Sequence, residues 1–413
     1  MKYRQLASLL LVAGLFTGLS SSVFADMDMM NKAGKAKDVC TDISQPASLN
    51  CAPAPSTSFD QNGRLWLTWS HAGHVYVNYS DDKGKSYSSP VIVNRKPEAI
   101  SARGENRPKI IPAGGKIFIS WTTPLEKRFT GHVRFSVSDD GGEHFSDPII
   151  VNDNLDITGH RFEAMSVNEK GEVFMSWLDK RDRLHARQQG KEYHGAALYY
   201  SWSQDGGKTF QKNLKIIDHS CECCRVVMDI DHNQLPVILW RNIYGKNTRD
   251  HSLVEFTAKD KPTAVQRVSF DEWKLDACPH HGPDMDIANN RDIHLTWFDN
   301  APERHGLFYA RRKTDGSLTD AINVGDYQSA ASHPNVISVG EHVWLVWKQF
   351  DGKQASVWLQ KSETNGDDWR AAVKVATTDA DADYPFLIRD KTEVYLQWHT
   401  KNEGFQLIDL TDK

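Results

Sequence analysis

The sequence lacks the features of several common protein classes. After one apolar run near the N-terminus, no stretch is long and apolar enough to span a membrane. Basic residues are not in excess, since 49 Lys and Arg stand against 54 Asp and Glu, which argues against a nucleic-acid partner. The chain has neither a CxxCH haem-attachment motif nor a glycine-rich phosphate loop after a strand. Cysteine is also scarce, with six residues in 413.

The N-terminal segment has the pattern of a secretory signal. Lys2 and Arg4 precede an apolar run over residues 6–19, and Val23 and Ala25 stand at the positions that a signal peptidase reads. We therefore expect a signal peptide over residues 1–25, export, and a periplasmic location. Residues 26–50 follow as a polar leader.

A strand-like segment that ends in tryptophan recurs seven times in the chain. Each copy alternates apolar and polar residues, as in GRLWLTW and GKIFISW, which is typical of a half-buried strand. Successive copies lie 50 to 63 residues apart, the length of one supersecondary unit. The tryptophans are Trp69, Trp121, Trp177, Trp240, Trp297, Trp347 and Trp398.

This repeat predicts an all-β fold, namely a β-propeller of four-stranded blades within a single domain over residues 51–413. Seven blades are favoured and six are possible. The last blade shows only three strands, so we expect a fourth from residues 39–43 to close the ring. The predicted blades are residues 54–95, 105–152, 160–217, 224–270, 280–324, 332–376 and 383–411.

A turn of recurring sequence follows the third strand of several blades. It reads Ser-x-Asp-x-Gly-x-x-aromatic at residues 80–87, 138–145 and 203–210, with a degenerate copy at 362–369. The pattern resembles the Asp-box, or bacterial neuraminidase repeat, of the sialidase superfamily. We expect its aspartates to accept backbone N–H groups of the turn and to have no catalytic role. They are Asp82, Asp140 and Asp205.

The resemblance implies a glycoside hydrolase as one possible function. Sialidases hold a substrate carboxylate with three arginines and use a tyrosine nucleophile that a glutamate activates. Arg107 stands in an Arg-Pro setting similar to the family's Arg-Ile-Pro. Tyr384 and Glu163 are the corresponding nucleophile and partner, and the further arginines for substrate binding are Arg161, Arg225 and Arg241.

A second group of residues predicts a metal centre on the same rim of the propeller. Two segments that enter neighbouring blades, HSCECCR at 219–225 and CPHHGP at 278–283, bring cysteine and histidine together. Thiolate and imidazole ligands suit Cu(I) or Zn(II) and disfavour Mg or Ca, so copper is favoured and zinc is second. The predicted ligands are Cys221, Cys223, Cys224, Cys278, His280, His281, His219 and His333.

Disulfides are the alternative role for these cysteines, because an exported protein meets an oxidising compartment. Cys40 and Cys51 form the simplest pair, and the four cysteines of the cluster could form two more bridges or combine one bridge with a metal. The chain would then be a non-catalytic propeller that binds a glycan or a protein.

Across these alternatives, the expected partner is a metal ion or a small anionic or glycan ligand. A long loop over residues 178–195 could cover the mouth of the site.

Overall fold

The computed structural model describes residues 47–413, whose strands pair in antiparallel sheets. The first sheet contains β1 (Ser56–Phe59), β2 (Leu65–His71), β3 (His74–Ser80) and β4 (Val91–Ile92), and the second contains β5 (Lys109–Ala113), β6 (Lys116–Pro124), β7 (Gly131–Ser138) and β8 (Ile149–Ile150). The third group contains β9 (His160–Val167), β10 (Val173–Asp179), β11 (Ala196–Ser203) and β12 (Leu214–Ser220). One helix, α1 (Arg181–Gln188), lies between β10 and β11.

The fourth group contains β13 (Val227–Ile230), β14 (Pro236–Tyr244), β15 (Thr248–Val254) and β18 (Gln266–Arg267), with a separate hairpin of β16 (Phe256–Ala258) and β17 (Lys261–Pro262). The fifth contains β19 (Asp284–Ile287), β20 (Ile293–Asn300), β21 (His305–Arg312) and β22 (Ile322–Val324). The sixth contains β23 (Ser332–Val339), β24 (His342–Phe350), β25 (Ala355–Ser362) and β26 (Val373–Thr378), and the last contains β27 (Phe386–Asp390), β28 (Glu393–Thr400) and β29 (Gly404–Asp409). Short 3-10 turns occupy Leu49–Cys51 and Tyr327–Ser329.

The strands within each group pair in chain order, so each group is a meander. The third and fourth groups are joined into one eight-stranded sheet by a single pairing, between Ser220 of β12 and Asn242 of β14. The first strands of the groups contact one another in sequence, from β1 to β5, β9, β13, β19, β23 and β27, and β27 contacts β1 again. The contacts between first strands therefore form a closed cycle.

The tryptophan at the end of each repeated segment lies on the second strand of its group and is buried. Every one of these seven indoles donates its N–H to a polar acceptor, as from Trp177 to Asp179 and from Trp297 to Asp271. A buried indole needs such a partner because its N–H has lost water. The apolar core lies mainly between neighbouring groups: one buried cluster, for example, joins Trp66 of β2 to Phe145 of the second group.

The Ser-x-Asp-x-Gly turns join the third strand to the fourth in their groups. In the turn at 138–145, Asp140 accepts the His144 N–H at 2.9 Å and the Ser138 hydroxyl at 2.8 Å. Ser138 in turn accepts the N–H of Gly142, whose φ is +87°. The aspartates of the other two full copies accept the same kind of backbone N–H, so in these turns the carboxylate has the structural role that the pattern predicts.

The strand limits differ from the predicted blades at a few ends. The third group extends to Ser220 rather than residue 217, and the sixth to Thr378 rather than 376. The β16–β17 hairpin was not predicted, since its sequence has no repeat counterpart. The described residues, 47–413, belong to one compact unit. The predicted signal peptide, the leader up to residue 46 and the closing strand at 39–43 lie outside the described residues. In the described part of the chain, no helix is long and apolar enough to cross a membrane.

Candidate metal centre

Three of the cysteines lie on the chain segment that passes from β12 to β13. The pairing of Ser220 with Asn242 carries this segment to the edge of the neighbouring group, and the Cys221 N–H donates to the Arg241 carbonyl at 2.9 Å. Cys221, Cys223 and Cys224 are then turned into the apolar core between the third and fourth groups, where they are 1%, 4% and 2% exposed.

The four cysteines of the two segments are close together and carry free thiols. The Sγ atom of Cys221 lies 3.8 Å from that of Cys223 and 3.5 Å from that of Cys224. Cys223 also belongs to a second set, because its Sγ lies within 4.8 Å of Cys278 Sγ and of a ring nitrogen of His280. Cys278 and His280 lie on the loop between β18 and β19, and both are exposed.

These sulfur–sulfur distances can be compared with those of two thiolates that share a metal ion and with that of a disulfide bond. Two thiolates that bind one ion at about 2.3 Å, at a tetrahedral angle, are roughly 3.8 Å apart. A disulfide needs a separation of about 2.05 Å, which would require Cys221 and its neighbours to move together by roughly 1.5 Å. The spacing of Cys221, Cys223 and Cys224 therefore fits a shared ion without rearrangement.

Two arginines supply positive charge to the buried thiols. Arg249 of β15 donates from Nη1 to the Sγ of Cys221 at 3.1 Å. Hydrogen bonds from Cys223 and Cys224 lower the pKa of Cys221, and the charges of Arg249 and Arg241 lower it further. Burial raises the pKa of Cys224 instead. These effects favour ionisation of Cys221 over Cys224, and the hydrogen bond with Cys223 lowers the pKa of Cys278 as well.

Glu105 holds the two cysteine-bearing segments in place. Its carboxylate accepts the N–H of Arg225 at 3.0 Å and that of Gly282 at 2.8 Å. Gly282 must be glycine here, because a Cβ atom would lie 2.4 Å from the Cβ of Arg225. One buried carboxylate, on the loop that precedes β5, therefore positions the residues that follow Cys224 and His281.

The structure brings His280 to the thiols and places the other predicted histidines elsewhere. His219 contacts Tyr193 and His194, and its Nδ1 lies 3.2 Å from the His194 carbonyl. The rings of His281 and His333 contact each other in a tilted arrangement, with centroids 4.4 Å apart. Burial near Arg241 lowers the pKa of His281 to about 3, so this ring is neutral. His280 itself has a φ of +54°, a conformation that a non-glycine residue adopts at some cost.

A cleft of about 190 Å³ opens beside the cluster. Cys278 and Arg249 lie on its wall, and so do Arg183, Tyr193 and His194 of the long segment between β10 and β11. Arg183 donates to Glu222, which ties this segment to the cysteine loop. The predicted covering loop therefore forms one side of a cleft that ends at Cys278.

Arg107, Glu163 and Tyr384, the residues predicted for a sialidase-type reaction, are each in contact with other side chains of the protein. Arg107 forms a two-pronged ion pair with Asp383, at 2.5 and 2.6 Å, and both side chains are almost fully buried. Glu163 is buried and pairs with Lys109 at 3.1 Å. Tyr384 stacks on His333, with ring centroids 3.4 Å apart. An anionic substrate would have to displace Asp383 to reach Arg107.

The other predicted arginines are also engaged within the protein. Arg225 donates to the carbonyls of Pro283 and Pro334. Arg241 donates from Nη2 to the His281 and Phe298 carbonyls. The guanidinium of Arg161 lies over the ring of Phe162, 5.2 Å from its centroid. The structure does not bring the four arginines onto one exposed anion site among the described residues.

Two residues at the centre were missed by reasoning from the sequence. Arg249 and Glu105 lie outside any motif, and their roles depend on contacts across different sheets. Cys51, by contrast, is disulfide-bonded, as the disulfide interpretation of that residue predicts. Its expected partner, Cys40, lies outside the described residues.

Comparison with known proteins identifies the fold. No family model matches the chain, and no curated protein matches it by sequence. A protein of unknown function from Dyadobacter fermentans has 15% identity and a TM-score of 0.53, over 77% of this chain and 95% of that one. A PL25 ulvan lyase has 11% identity and a TM-score of 0.56, over 88% and 92%. A Hadza microbial sialidase has 13% identity and a TM-score of 0.48, over 84% and 76%. The chain has a β-propeller-like, all-β fold.

Proposed function

We propose that this protein is an exported, seven-bladed propeller of the sialidase-like type that binds Cu(I) at its cysteine cluster. The observation that carries the proposal is the convergence of four free thiols and one imidazole, linked through Cys223. Metal handling, or redox chemistry that depends on copper, is the corresponding activity. The closed cycle of first-strand contacts supports the seven-bladed ring.

The composition of the site supports a soft ion. Three thiols in an apolar pocket offer the ligands that Cu(I) prefers, and the three residues are 1–4% exposed. A structural zinc site takes four ligands in a tetrahedron, whereas the buried set offers three. Zinc is therefore the second choice for the ion.

The fold does not require disulfide bonds at the cysteine cluster. A domain of this size buries enough apolar surface to fold without disulfides in its core. Four thiols in two neighbouring loops, with Arg249 donating to one of them, are better explained by a bound ion than by bridges.

A competition titration tests the proposal. The full chain, reduced under nitrogen, competes with a chromophoric Cu(I) chelator, and Zn(II) is titrated in parallel. We expect tight Cu(I) binding that is weakened at least 100-fold in Cys221→Ser and Cys224→Ser. The control is His342→Asn, an exposed histidine of β24. Unchanged Cu(I) affinity in both cysteine variants would show that the proposed site does not bind copper. Tight Zn(II) binding with weak Cu(I) binding would show that zinc, not copper, is the ion.

A carbohydrate ligand is the second candidate. Two neighbours with TM-scores of 0.56 and 0.53 are described as an ulvan lyase and a polysaccharide lyase, so a related fold does act on glycans. In this chain, Arg107, Glu163 and Tyr384 would carry a sialidase-type reaction. A panel of sialosides and uronic-acid polysaccharides tests this: turnover that is lost in Tyr384→Phe but kept in Cys223→Ser would favour the glycosidase over the metal protein.

A further inference from the structure

We propose that the cysteine cluster holds two Cu(I) ions, joined by the thiolate of Cys223. The inner ion would be bound by Cys221, Cys223 and Cys224, and the outer ion by Cys223, Cys278 and His280. This inference rests on the proposed function, because it assumes that the cluster binds a soft metal at all.

The geometry provides two complete sets of ligands. Within each set the three ligand atoms lie within 4.8 Å of one another, and Cys223 is the member that both sets share. Three donors spread evenly around a common ion at about 2.3 Å are about 4.0 Å apart in pairs. The Sγ atom of Cys221 lies 3.8 and 3.5 Å from its two neighbours, close to this value. The outer set lies within 4.8 Å, so its ligand atoms reach the same spacing by approaching one another by less than about 1 Å. A thiolate sulfur has lone pairs for two ions and can therefore bridge them.

The two positions differ in their access to solvent. The inner thiols are 1%, 4% and 2% exposed and lie in the apolar core. Cys278 and His280 are exposed, and Cys278 lines the cleft beside the cluster. An inner ion would be held by buried ligands, while an outer ion could be exchanged through the cleft. The outer position is therefore the point at which copper enters and leaves.

The charge balance is favourable for two monovalent ions. Loading both positions converts four thiols to thiolates, so four protons leave as two Cu(I) ions enter and a net charge of −2 results. Arg249 donates to Cys221 at 3.1 Å and offsets part of this charge. Arg241 is buried next to the same segment, and its Nε and Nη1 atoms have no hydrogen-bond partner. Two guanidinium groups thus face the thiolates in the described structure.

The experiment measures bound copper per chain and the environment of the copper. The full chain is loaded with excess Cu(I) under nitrogen, separated from free copper, and analysed for metal content and X-ray absorption at the copper edge. We expect two copper ions per chain and a short copper–copper contact. Cys278→Ser and His280→Asn should each retain one ion and lose that contact. His219→Asn is the matched control, because this histidine belongs to neither set, and it should keep two ions.

The outcomes separate this inference from the proposed function. One ion per wild-type chain, with no copper–copper contact, would overturn the two-ion site and leave a mononuclear copper site in place. Two ions in Cys278→Ser and His280→Asn would also overturn it. No bound copper in the wild type would overturn both proposals. Thermal unfolding of each variant without copper identifies any variant that fails to fold. The X-ray absorption spectrum of the wild type tests the copper–copper contact without relying on any variant.

Discussion

At the scale of single residues, Glu105 illustrates how a distant side chain can position the cysteine cluster. It bonds the backbone of Arg225 and Gly282, which are 120 and 177 residues away in the sequence. Replacing it by alanine leaves two buried N–H groups without a partner, at a cost of about 1–3 kcal/mol each. We expect Glu105→Ala to lower the free energy of unfolding by about 2–4 kcal/mol and to weaken Cu(I) binding at least tenfold. Denaturant unfolding and chelator competition measure the two effects.

The control for this prediction is Glu169→Ala, which removes an exposed carboxylate beyond the end of β9. It should change neither quantity. Glu105→Gln keeps one acceptor oxygen and should have an intermediate effect. If Glu105→Ala destabilised the chain but left Cu(I) affinity unchanged, the carboxylate would support the fold without positioning the thiols.

His294 gives the fold a dependence on pH. This ring on β20 is fully buried and lies 2.7 Å from the Tyr309 hydroxyl, and burial lowers its pKa to about 4. In the unfolded chain the same ring binds a proton below about pH 6.5. Between these values the unfolded state binds more protons, so stability falls as the pH drops, by up to about 3 kcal/mol at pH 4.

The variant His294→Gln tests this effect. Its free energy of unfolding should fall less steeply than that of the wild type between pH 6.5 and pH 4, as measured by urea unfolding at several pH values. His342→Gln, at an exposed histidine, should follow the wild-type curve. Parallel curves for wild type and His294→Gln would contradict the prediction.

The residues of the proposed metal centre were predictable only in part. Their types and local spacing in HSCECCR and CPHHGP indicated a thiol and imidazole site, and the structure brings Cys221, Cys223, Cys224, Cys278 and His280 together. Which histidine joins them could not be deduced, because His280 and His281 are adjacent in the sequence. The left-handed backbone conformation of His280, which sets the direction of its ring, has no sequence signal. Partners such as Arg249 come from another strand and leave no local signal.

At the scale of elements, the Ser-x-Asp-x-Gly turns show why their glycine is required. A Cβ atom on Gly142 would lie 2.8 Å from the ring of Trp66 in the preceding sheet. Gly141 also has a positive φ, but a Cβ atom there would meet nothing within 4 Å. Gly141→Ala should therefore cost about 1 kcal/mol of backbone strain, and Gly142→Ala about 1–3 kcal/mol more. Thermal unfolding of the two variants makes the comparison, and equal costs would show that this turn does not pack on Trp66.

The elements were more predictable than the site. The recurring segment that ends in tryptophan placed the second strand of every group. The expectation that these strands are half-buried was wrong, because neighbouring groups cover both of their faces, as in β10 and β14. The two-residue outer strands, such as β4 and β8, have no such pattern. The β16–β17 hairpin was missed for a different reason: it interrupts the fourth group without a counterpart elsewhere in the repeat.

At the scale of the whole molecule, an ion pair links the entry of the second group of strands to the entry of the last group. Arg107, which precedes β5, pairs with Asp383, which precedes β27, and both side chains are buried. Removing one member of a buried pair leaves an uncompensated charge at a cost of about 3–5 kcal/mol. We expect this loss in Asp383→Ala, measured by denaturant unfolding, and a partial recovery in the double variant Arg107→Met/Asp383→Ala.

Asp381→Ala, at an exposed carboxylate two residues away, is the control and should be close to the wild type. If Asp383→Ala left stability unchanged and strengthened binding of an anionic sugar, Arg107 would be a substrate residue, as the resemblance to sialidases implies.

The metal content of the protein isolated from its native host tests the central claim most directly. The protein is purified from its own compartment without chelators, its copper and zinc are measured, and its reactive thiols are counted after denaturation with a chelator. We predict copper at one to two ions per chain and four reactive thiols, from Cys221, Cys223, Cys224 and Cys278. No metal, even after Cu(I) loading, together with all six cysteines oxidised, would contradict the account.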